Sequence, residues 1–332
     1  MNNAAGQLVT VFGGSGFVGR HVVRALARRG YRIRVAVRRP DLAHFLQPLG
    51  SAGQIHAVQA NLRFPDSVAH AVAGADAVVN LVGLLAEGGK QRFATVQAKG
   101  AKVIADAAKA AGAGRIVHLS AIGADAASPS AYARSKDEGE AFMRAARKDV
   151  IVLRPSIVFG PEDQFFNRFA HLATMLPVLP LIGGGKTLFQ PVFVGDVAEV
   201  VARAVDGELK AGATYELGGR EVRSFEELLR FILKTIDRDP SLVPLPFKLA
   251  RMQAGLLEFL NSATFGMLPE EFLITRDQVA LLEHDNVVSA KAIKDGRTLE
   301  GLGIVPETIE AVVPTYLWRF RKGGQFASGR YA

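Results

Sequence analysis

Two kinds of apolar pattern alternate along the first half of the chain. Leu8 to Phe12, Arg32 to Val37, Gln54 to Gln59, Ala77 to Gly83, Arg115 to Ser120 and Val150 to Pro155 are short, nearly continuous apolar runs bounded by glycine, proline or polar clusters. Such runs read as buried strands of a parallel sheet. Between them, Arg20 to Arg29, Asp41 to Leu49, Pro65 to Val72, Phe93 to Gly112 and the stretch from Tyr132 onward repeat apolar residues every three or four positions and read as helices. Regular alternation of the two predicts an α/β fold, a doubly wound parallel sheet with its ligand across the carboxyl ends of the strands. Later the rhythm loosens. Glu162 to Phe169 opens a helix that Asp163 is suited to cap, Asp196 is placed to cap Val197 to Val205, Thr214 to Gly218 is a short strand, and Ser224 with Glu227 forms a capping box for a helix to Thr235. Residues 1–160 form the core, the chain returns to it at about 190–206, and residues 161–189 and 207–332 make a smaller mixed C-terminal lobe.

The first turn carries the clearest chemistry. After the first strand come Gly13-Gly14-Ser15-Gly16-Phe17-Val18-Gly19, then a helix and a second strand. Gly13 makes the sharp turn, Gly16 lets backbone approach a pyrophosphate, and Gly19 lets the helix pack close to the sheet; the free N–H groups of the helix start hold the anion. The Gly-x-x-Gly-x-x-Gly spacing resembles the short-chain dehydrogenase/reductase superfamily and its Rossmann-type fold. The second strand ends in Arg38 and Arg39, where an acidic residue would select NAD. Guanidinium groups clamp a 2′-phosphate that a carboxylate would repel, so the cofactor reads as NADP(H); two solvated arginines are the simpler alternative. Asn61 stands where superfamily members carry an acidic residue near the adenine, with Leu62 beside it, and an amide can still make that hydrogen bond. Leu81, Val82 and Gly83 are expected to run beside the cofactor ribose and nicotinamide.

A second constellation follows. Ser120 ends the fifth strand, and Tyr132 and Lys136, four apart, share one face of the next helix. A free tyrosine has a pKa near 10, and a neighbouring ammonium with the cofactor's charge lowers it enough for proton transfer. Ser120, Tyr132 and Lys136 are the candidate catalytic residues: Ser120 holds a substrate oxygen, Tyr132 moves the proton, and Lys136 supports Tyr132 and holds the ribose hydroxyls. His118, within a strand, reads as structural.

Composition narrows the partners. The chain contains no cysteine, which excludes disulfides and thiolate chemistry, and no metal site is expected. A net charge of +8 favours anionic partners, but it is dispersed and without a zinc-finger, helix-turn-helix or aromatic RNA-binding signature, so nucleic acid is not expected. Met1 to Gln7 fits neither a secretory signal nor a transit peptide, and Phe169 to Gly185 is too short and too broken by prolines to span a bilayer. A soluble or peripheral protein is expected. Lys248 to Leu260 carries Leu249, Met252, Leu256, Phe259 and Leu260 as an apolar stripe, widened by Ala250, Ala254 and Leu257. It reads either as core of the second lobe or as a surface docking on protein or a membrane interface. The tail is basic, with Arg319, Arg321, Lys322 and Arg330 beside Trp318 and Phe320, and suits anionic lipid, an acidic partner or plain solvation.

Several later segments, Arg154-Pro155-Ser156-Ile157-Val158-Phe159-Gly160 with Glu162-Asp163, Gln190-Pro191-Val192 and Asp285-Asn286-Val287-Val288, together with the glycine turn and paired arginines, resemble one branch of the atypical extended short-chain dehydrogenases. That branch holds the NADPH-binding accessory subunit of respiratory complex I and its bacterial relatives, and the resemblance runs from Leu8 to about Arg319. It implies a tightly held NADPH, with Pro155 and Ile157 in the loop closing the nicotinamide end. It also implies a place beside complex I subunits near the quinone site, with the C-terminal lobe touching protein and anionic lipid. The location implied is peripheral, at the inner face of a bacterial cytoplasmic membrane or the matrix side of a mitochondrial inner membrane. Two departures pull in opposite directions. The eukaryotic accessory subunits are thought not to turn over substrate, whereas Ser120, Tyr132 and Lys136 stand together here; Gln97 occupies the place where active extended members carry Asn. The alternative is a working NADP(H)-dependent reductase, dehydrogenase or epimerase on a hydrophobic or quinone-related carbonyl or alcohol.

Overall fold

The computed structural model describes residues 6–89, 91–264 and 273–324. The chain forms two compact units. The first is the chain up to Pro155 with Val194–Leu217 and Ser289–Ile304; the second takes Ser156–Phe193, Gly218–Val288 and the chain from Val305.

Six apolar runs of the first unit become strands: β1 (Leu8–Phe12), β2 (Arg32–Val37), β3 (Ile55–Gln59), β4 (Ala77–Asn80), β5 (Arg115–Leu119) and β6 (Ile151–Pro155). With Thr214–Leu217 at one edge they make a seven-stranded sheet in the order Thr214–Leu217, β6, β5, β4, β1, β2, β3, every neighbour parallel. The chain runs outward from β1 to β3 and then returns to β4 on the other side of β1. The crevice beyond the carboxyl ends of β1 and β4 is therefore the switch point where such sheets bind ligands. Helices cover both faces. Ala71, Ile104 and Met143, from α2 (Pro65–Val72), α3 (Lys99–Ala110) and α4 (Ala131–Ala146), pack with Phe12, Val78 and Val152. On the opposite side of β1, Val23 of α1 (Phe17–Arg28) gathers with Val11 and Val35 around Gly14. Burying each such side chain contributes about 1.5–3 kcal/mol, so the sequence's apolar runs account for the sheet.

Several local expectations are corrected. The fourth strand stops at Asn80 rather than Gly83, because the Asn80 side-chain carbonyl accepts the Val82 N–H (3.0 Å) and turns the chain. The helix expected from Phe93 begins with a π-helical turn, Ala94–Ala98, before α3. Asp41 to Leu49 is wound as 3₁₀ turns over Pro40–Leu49, with Pro48 unable to donate an α-helical bond. Asp196 is not a cap: its helix starts at Val194, leaving the carboxylate inside the first turn, where the helix dipole favours it. The strand Thr214–Leu217 and the segment Ser289–Ile304 join the first unit, although the boundary pattern placed them in the second.

In the second unit, helix Phe225–Ile236 has the expected capping box: Ser224 Oγ accepts the Glu227 N–H (3.2 Å) and the Glu227 carboxylate accepts the Ser224 N–H (2.7 Å). Its apolar face packs with Phe159, Phe166, Val313 and Leu317. Asp163 does serve helix Phe166–Met175, accepting the Asn167 N–H (3.1 Å), and is also locked by Gly160 N–H (3.2 Å) and the Tyr316 hydroxyl (2.5 Å). The proline-bearing stretch after Asp239 forms a strand, Ser241–Leu245, parallel to Val178–Ile182; a two-stranded ribbon tolerates Pro180 and Pro244 because each strand keeps a free edge.

The apolar helix spans Phe247–Ala263, and its two sides part company. Ala250 and Ala254 enter a small core with Ile182 and Val279. The stripe does not: Met252 is 71% and Phe259 68% exposed, and Leu249, Leu256 and Leu260 are exposed too. Of the basic tail, Arg319 donates to Asn167 Oδ1 (2.6 Å) and Arg321 to the Thr235 carbonyl (2.8 Å), so this part is tied down; Arg330 and residues 1–5 lie outside the described residues. Among the described residues no helix is long and apolar enough to cross a membrane.

Candidate functional site

The glycine turn shows why each glycine stands where it does. Gly13 has φ +77°, and a Cβ there would sit 3.1 Å from the Leu81 carbonyl; the turn after β1 thus abuts the Leu81–Val82 backbone after β4. Gly19 is set by close approach, since a Cβ would lie 2.2 Å from the Gly13 carbonyl oxygen. Gly16 differs: it is exposed, and a Cβ would meet only the Gly13 oxygen at 3.3 Å. Gly16 caps α1 without a side-chain bond, and the first turn of α1 holds no acidic residue. Ser15, Phe17 and Val18 sit on the same turn, half-buried, Phe17 edge-on to His21. A helix start with Gly16 at the surface and no carboxylate in its first turn fits a pyrophosphate.

At the end of β2 the paired arginines separate. Arg39 is held by Asp41 (Nη2 to Oδ2, 2.8 Å), whereas Arg38 is exposed with no partner among the described residues. Asn61 uses its side-chain carbonyl on the Arg63 N–H (3.1 Å), which leaves its amide N–H groups for a ligand. Leu62 packs its side chain against Gly100 of α3. Pro155 ends β6, its carbonyl accepting the Ile122 N–H (3.0 Å), while Ile157 belongs to the second unit and pairs there with Val192 (2.9 Å).

Ser120, Tyr132 and Lys136 are brought together by β5 and α4. The Ser130 hydroxyl caps α4 on the Ala133 N–H (3.2 Å), placing Tyr132 and Lys136 in its first two turns. Lys136 Nζ lies 5.8 Å from the Tyr132 ring centre and donates to the Leu119 carbonyl (3.3 Å), immediately before Ser120. Burial draws its ammonium down to about 8, opposed by the Glu140 carboxylate. Ser120 is 3% exposed and its hydroxyl has no partner among the described residues. An unpaired buried hydroxyl costs about 1–3 kcal/mol, which a ligand oxygen at this point would recover.

The polar support of this site was only partly legible in the sequence. Gln97, turned inward by the π-helical turn, accepts the Leu84 N–H (3.1 Å) and donates to Ser135 Oγ (2.8 Å), so both ends of its amide are engaged. Asn80 donates to His118 Nδ1 (3.1 Å), and burial with the Lys136 charge holds His118 down to about 3, neutral and structural as its strand position predicts. Glu140 and Arg154 form a paired contact (Nε–Oε1 and Nη2–Oε2, both 2.8 Å). Nothing marked Asn80 or Glu140 in advance except a polar residue in an otherwise apolar strand and an acid four positions after Lys136.

A glycine turn at the switch point, a Ser-Tyr-Lys group beside it and a parallel sheet around both define an NAD(P)-binding protein of the extended short-chain dehydrogenase type. The chain belongs to the NAD dependent epimerase/dehydratase family, which matches residues 9–218. Within it, the chain belongs with a mitochondrial protein of Arabidopsis thaliana, NADH dehydrogenase (ubiquinone) 1 alpha subcomplex subunit 9, to which it is 33% identical over 97% of its own length and 80% of the relative's. It is also similar to a ceramide reductase of Caulobacter vibrioides, 36% identical over 55% of this chain and 56% of that protein. Among solved structures, an NADPH-dependent quinone oxidoreductase from Escherichia coli complexed with NADPH shares the fold, with a TM-score of 0.70 and 20% identity over 93% of this chain and 99% of the other.

Proposed function

We propose that the chain is an NADP(H)-binding accessory or assembly protein of respiratory complex I, with the cofactor held mainly as part of the structure. The observation that carries this reading is the near full-length relation to a complex I subunit. Gly13 to Gly19 would cradle the pyrophosphate, Arg38 the 2′-phosphate, Asn61 and the Leu62 backbone the adenine side, and Leu81 to Gly83 the ribose, with Pro155 toward the nicotinamide. Lys136 and Tyr132 would hold the ribose hydroxyls. The choice of NADP(H) over NAD(H) rests on the free Arg38 guanidinium, which suits a dianionic phosphate.

The exposed face of helix Phe247–Ala263 supports peripheral placement at a membrane, beside complex I subunits near the quinone site and against anionic lipid. In a bacterium this is the inner face of the cytoplasmic membrane; in a mitochondrion, the matrix side of the inner membrane. The test is affinity purification of the native protein from membranes, scored for complex I subunits and, by mass, for retained NADPH. Absence of both from repeated preparations refutes the reading.

One observation favours a second reading, a working reductase: Ser120, directly after the Leu119 carbonyl that holds Lys136, keeps a hydroxyl with no partner among the described residues. When bound, the nicotinamide supplies or accepts hydride; Ser120 would orient the substrate oxygen and Tyr132 would hold the proton that moves to or from it. Oxidation of bound NADPH by a quinone, aldehyde or sugar-nucleotide panel, lost in Tyr132→Phe, would establish this reading over the first.

A further inference from the structure

Tyr132, Lys136 and Glu140 follow one another at intervals of four along α4, so a single helical face carries a phenol, an ammonium and a carboxylate in that order. Lys136 and Glu140 are both buried, Glu140 to 4% exposure. A buried carboxylate needs a partner, and Arg154 of β6 supplies it with two parallel hydrogen bonds of 2.8 Å. That fork fixes where the anion sits. We propose that Glu140, fixed by Arg154, is a positioning residue of the nucleotide site, holding a negative charge one helical turn beyond Lys136 so that the buried lysine keeps its ammonium for the ribose hydroxyls and for Tyr132. The proposal rests on the reading of this site as a nucleotide site, although its first consequence is visible without nucleotide.

The surroundings leave Glu140 as the group that can do this. On its own helix Lys136 faces Tyr132 and Glu140. From β5 comes His118, which burial keeps neutral, and from β6 comes Arg154, whose charge Glu140 balances. Arg144, a turn further along α4, adds positive charge near His118 and is itself engaged with Gly212 and Thr214. The turn before α3 contributes only the neutral Gln97, near Gly83 with Lys136 Nζ on the same side. Glu216 and Asp137 act on Arg154, and among the described residues Glu140 is the carboxylate that acts on Lys136. An ion pair that merely stitched α4 to β6 could be exchanged for neutral partners without consequence for Lys136; one that sets its charge could not.

The experiment compares wild type, Glu140→Gln and the double variant Glu140→Gln/Arg154→Gln, which keeps two long hydrogen-bonding side chains and no charge. Lysine side-chain resonances are followed by NMR from pH 6 to 10 in nucleotide-free protein, and NADPH affinity is measured by fluorescence at pH 6 and pH 8. Wild-type Lys136 is expected to titrate near its buried value, both variants lower, and the single variant lowest because Arg154 is then left uncompensated. A midpoint lower by about one pH unit leaves affinity near wild type at pH 6 and reduces it about fivefold at pH 8. Unchanged titration of Lys136 in the double variant, or an affinity loss equal at both pH values, overturns the proposal. If NADPH fails to bind the wild type at all, the nucleotide reading falls while the lysine titration still decides the role of Glu140.

Discussion

Gly16 and Gly19 lie three residues apart on one turn, yet they should fail in different ways when given a methyl group. At Gly19 the added carbon would come within 2.2 Å of the Gly13 carbonyl oxygen and 2.6 Å of the Gly14 Cα, both backbone atoms of the same turn. Neither can rotate away, so the turn or α1 must shift. Overpacking of this kind costs typically 1–3 kcal/mol, and backbone opposition puts it at the upper end, about 3 kcal/mol. At Gly16 the backbone is already extended (φ −77°, ψ −176°), a region open to alanine, and the nearest atom is at 3.3 Å. Its cost in the free protein is a few tenths of a kcal/mol, about what a slight shift of one neighbour requires. Thermal unfolding of Gly19→Ala should therefore show Tm lowered by about 5 °C or more, with Gly16→Ala within about 1 °C of wild type. Nucleotide titration reverses the ranking where it matters: Gly16→Ala should bind NADPH at least tenfold more weakly while remaining folded, because the methyl group occupies the approach to the pyrophosphate. If Gly16→Ala binds NADPH as wild type does, the pyrophosphate does not lie on this turn in the way argued. If Gly19→Ala unfolds at the wild-type temperature, the close packing of α1 on the turn has been misjudged.

Three further outcomes follow from the same geometry. Arg38→Ala should weaken NADPH about tenfold and leave NADH nearly unchanged, as loss of one charge-assisted contact requires, while Arg39→Ala, whose guanidinium is already held by Asp41, should do less; isothermal titration with both nucleotides decides, and equal losses for NADPH and NADH would argue against a 2′-phosphate at Arg38. His118, held down to about 3 by burial, binds a proton in the unfolded chain below about pH 6.5 that the folded chain refuses. Its contribution is full above that pH and falls toward pH 3 by about 1.4 kcal/mol per pH unit, so urea unfolding of His118→Asn should be less acid-sensitive between pH 6 and 4; an identical slope counts against a neutral buried ring. Tyr316→Phe removes the hydroxyl that Asp163 accepts at 2.5 Å and should cost about 1–3 kcal/mol, measured by urea unfolding, with NADPH affinity unmoved.

What was legible in the sequence was periodic or punctuated. The strand runs, the glycine turn, Tyr132 with Lys136, and the Ser224–Glu227 capping box all follow from local rules, since each is settled by residues within a few positions of one another. Those that escaped depend on partners far away in the chain. Asn80 ends β4 early because its side chain serves both Val82 and His118, and only the second contact shows that a polar residue belongs inside a buried strand. Asp163 is suited to cap the helix by its position, yet Phe165 holds the cap position and Asp163 reaches the Asn167 N–H from two residues further out; the Tyr316 hydroxyl it also accepts is connected to it by no spacing rule. The apolar stripe of Phe247–Ala263 was ambiguous for a different reason. Periodicity reveals that a helix has an apolar face but not which face packs, and here the small residues Ala250 and Ala254 go inward while the large ones stay out.

The hardest question, whether the Ser-Tyr-Lys group works or is kept, turns on Ser120. Lys136 and Tyr132 cannot decide it, because a lysine that grips ribose hydroxyls and a tyrosine beside it are needed equally by a resident cofactor and by a turning-over one. Gln97 cannot either, since both ends of its amide serve Leu84 and Ser135. Ser120 has no duty to the fold: its hydroxyl is buried and unpaired among the described residues. Replacing it with alanine removes an unsatisfied group without opening more than an atom's worth of space, so Ser120→Ala should be neutral or stabilising by about 1 kcal/mol in urea unfolding of the nucleotide-free protein. If the bound nucleotide is structural, the variant should also retain NADPH as wild type does and co-purify with complex I unchanged. If the chain is a reductase, NADPH retention is again unchanged, but oxidation by the accepted substrate should fall by a hundredfold or more, about the 2.7 kcal/mol that a lost oxyanion-type donor costs. A destabilised variant that releases NADPH would refute the premise itself, by showing that the hydroxyl already serves the fold or the cofactor.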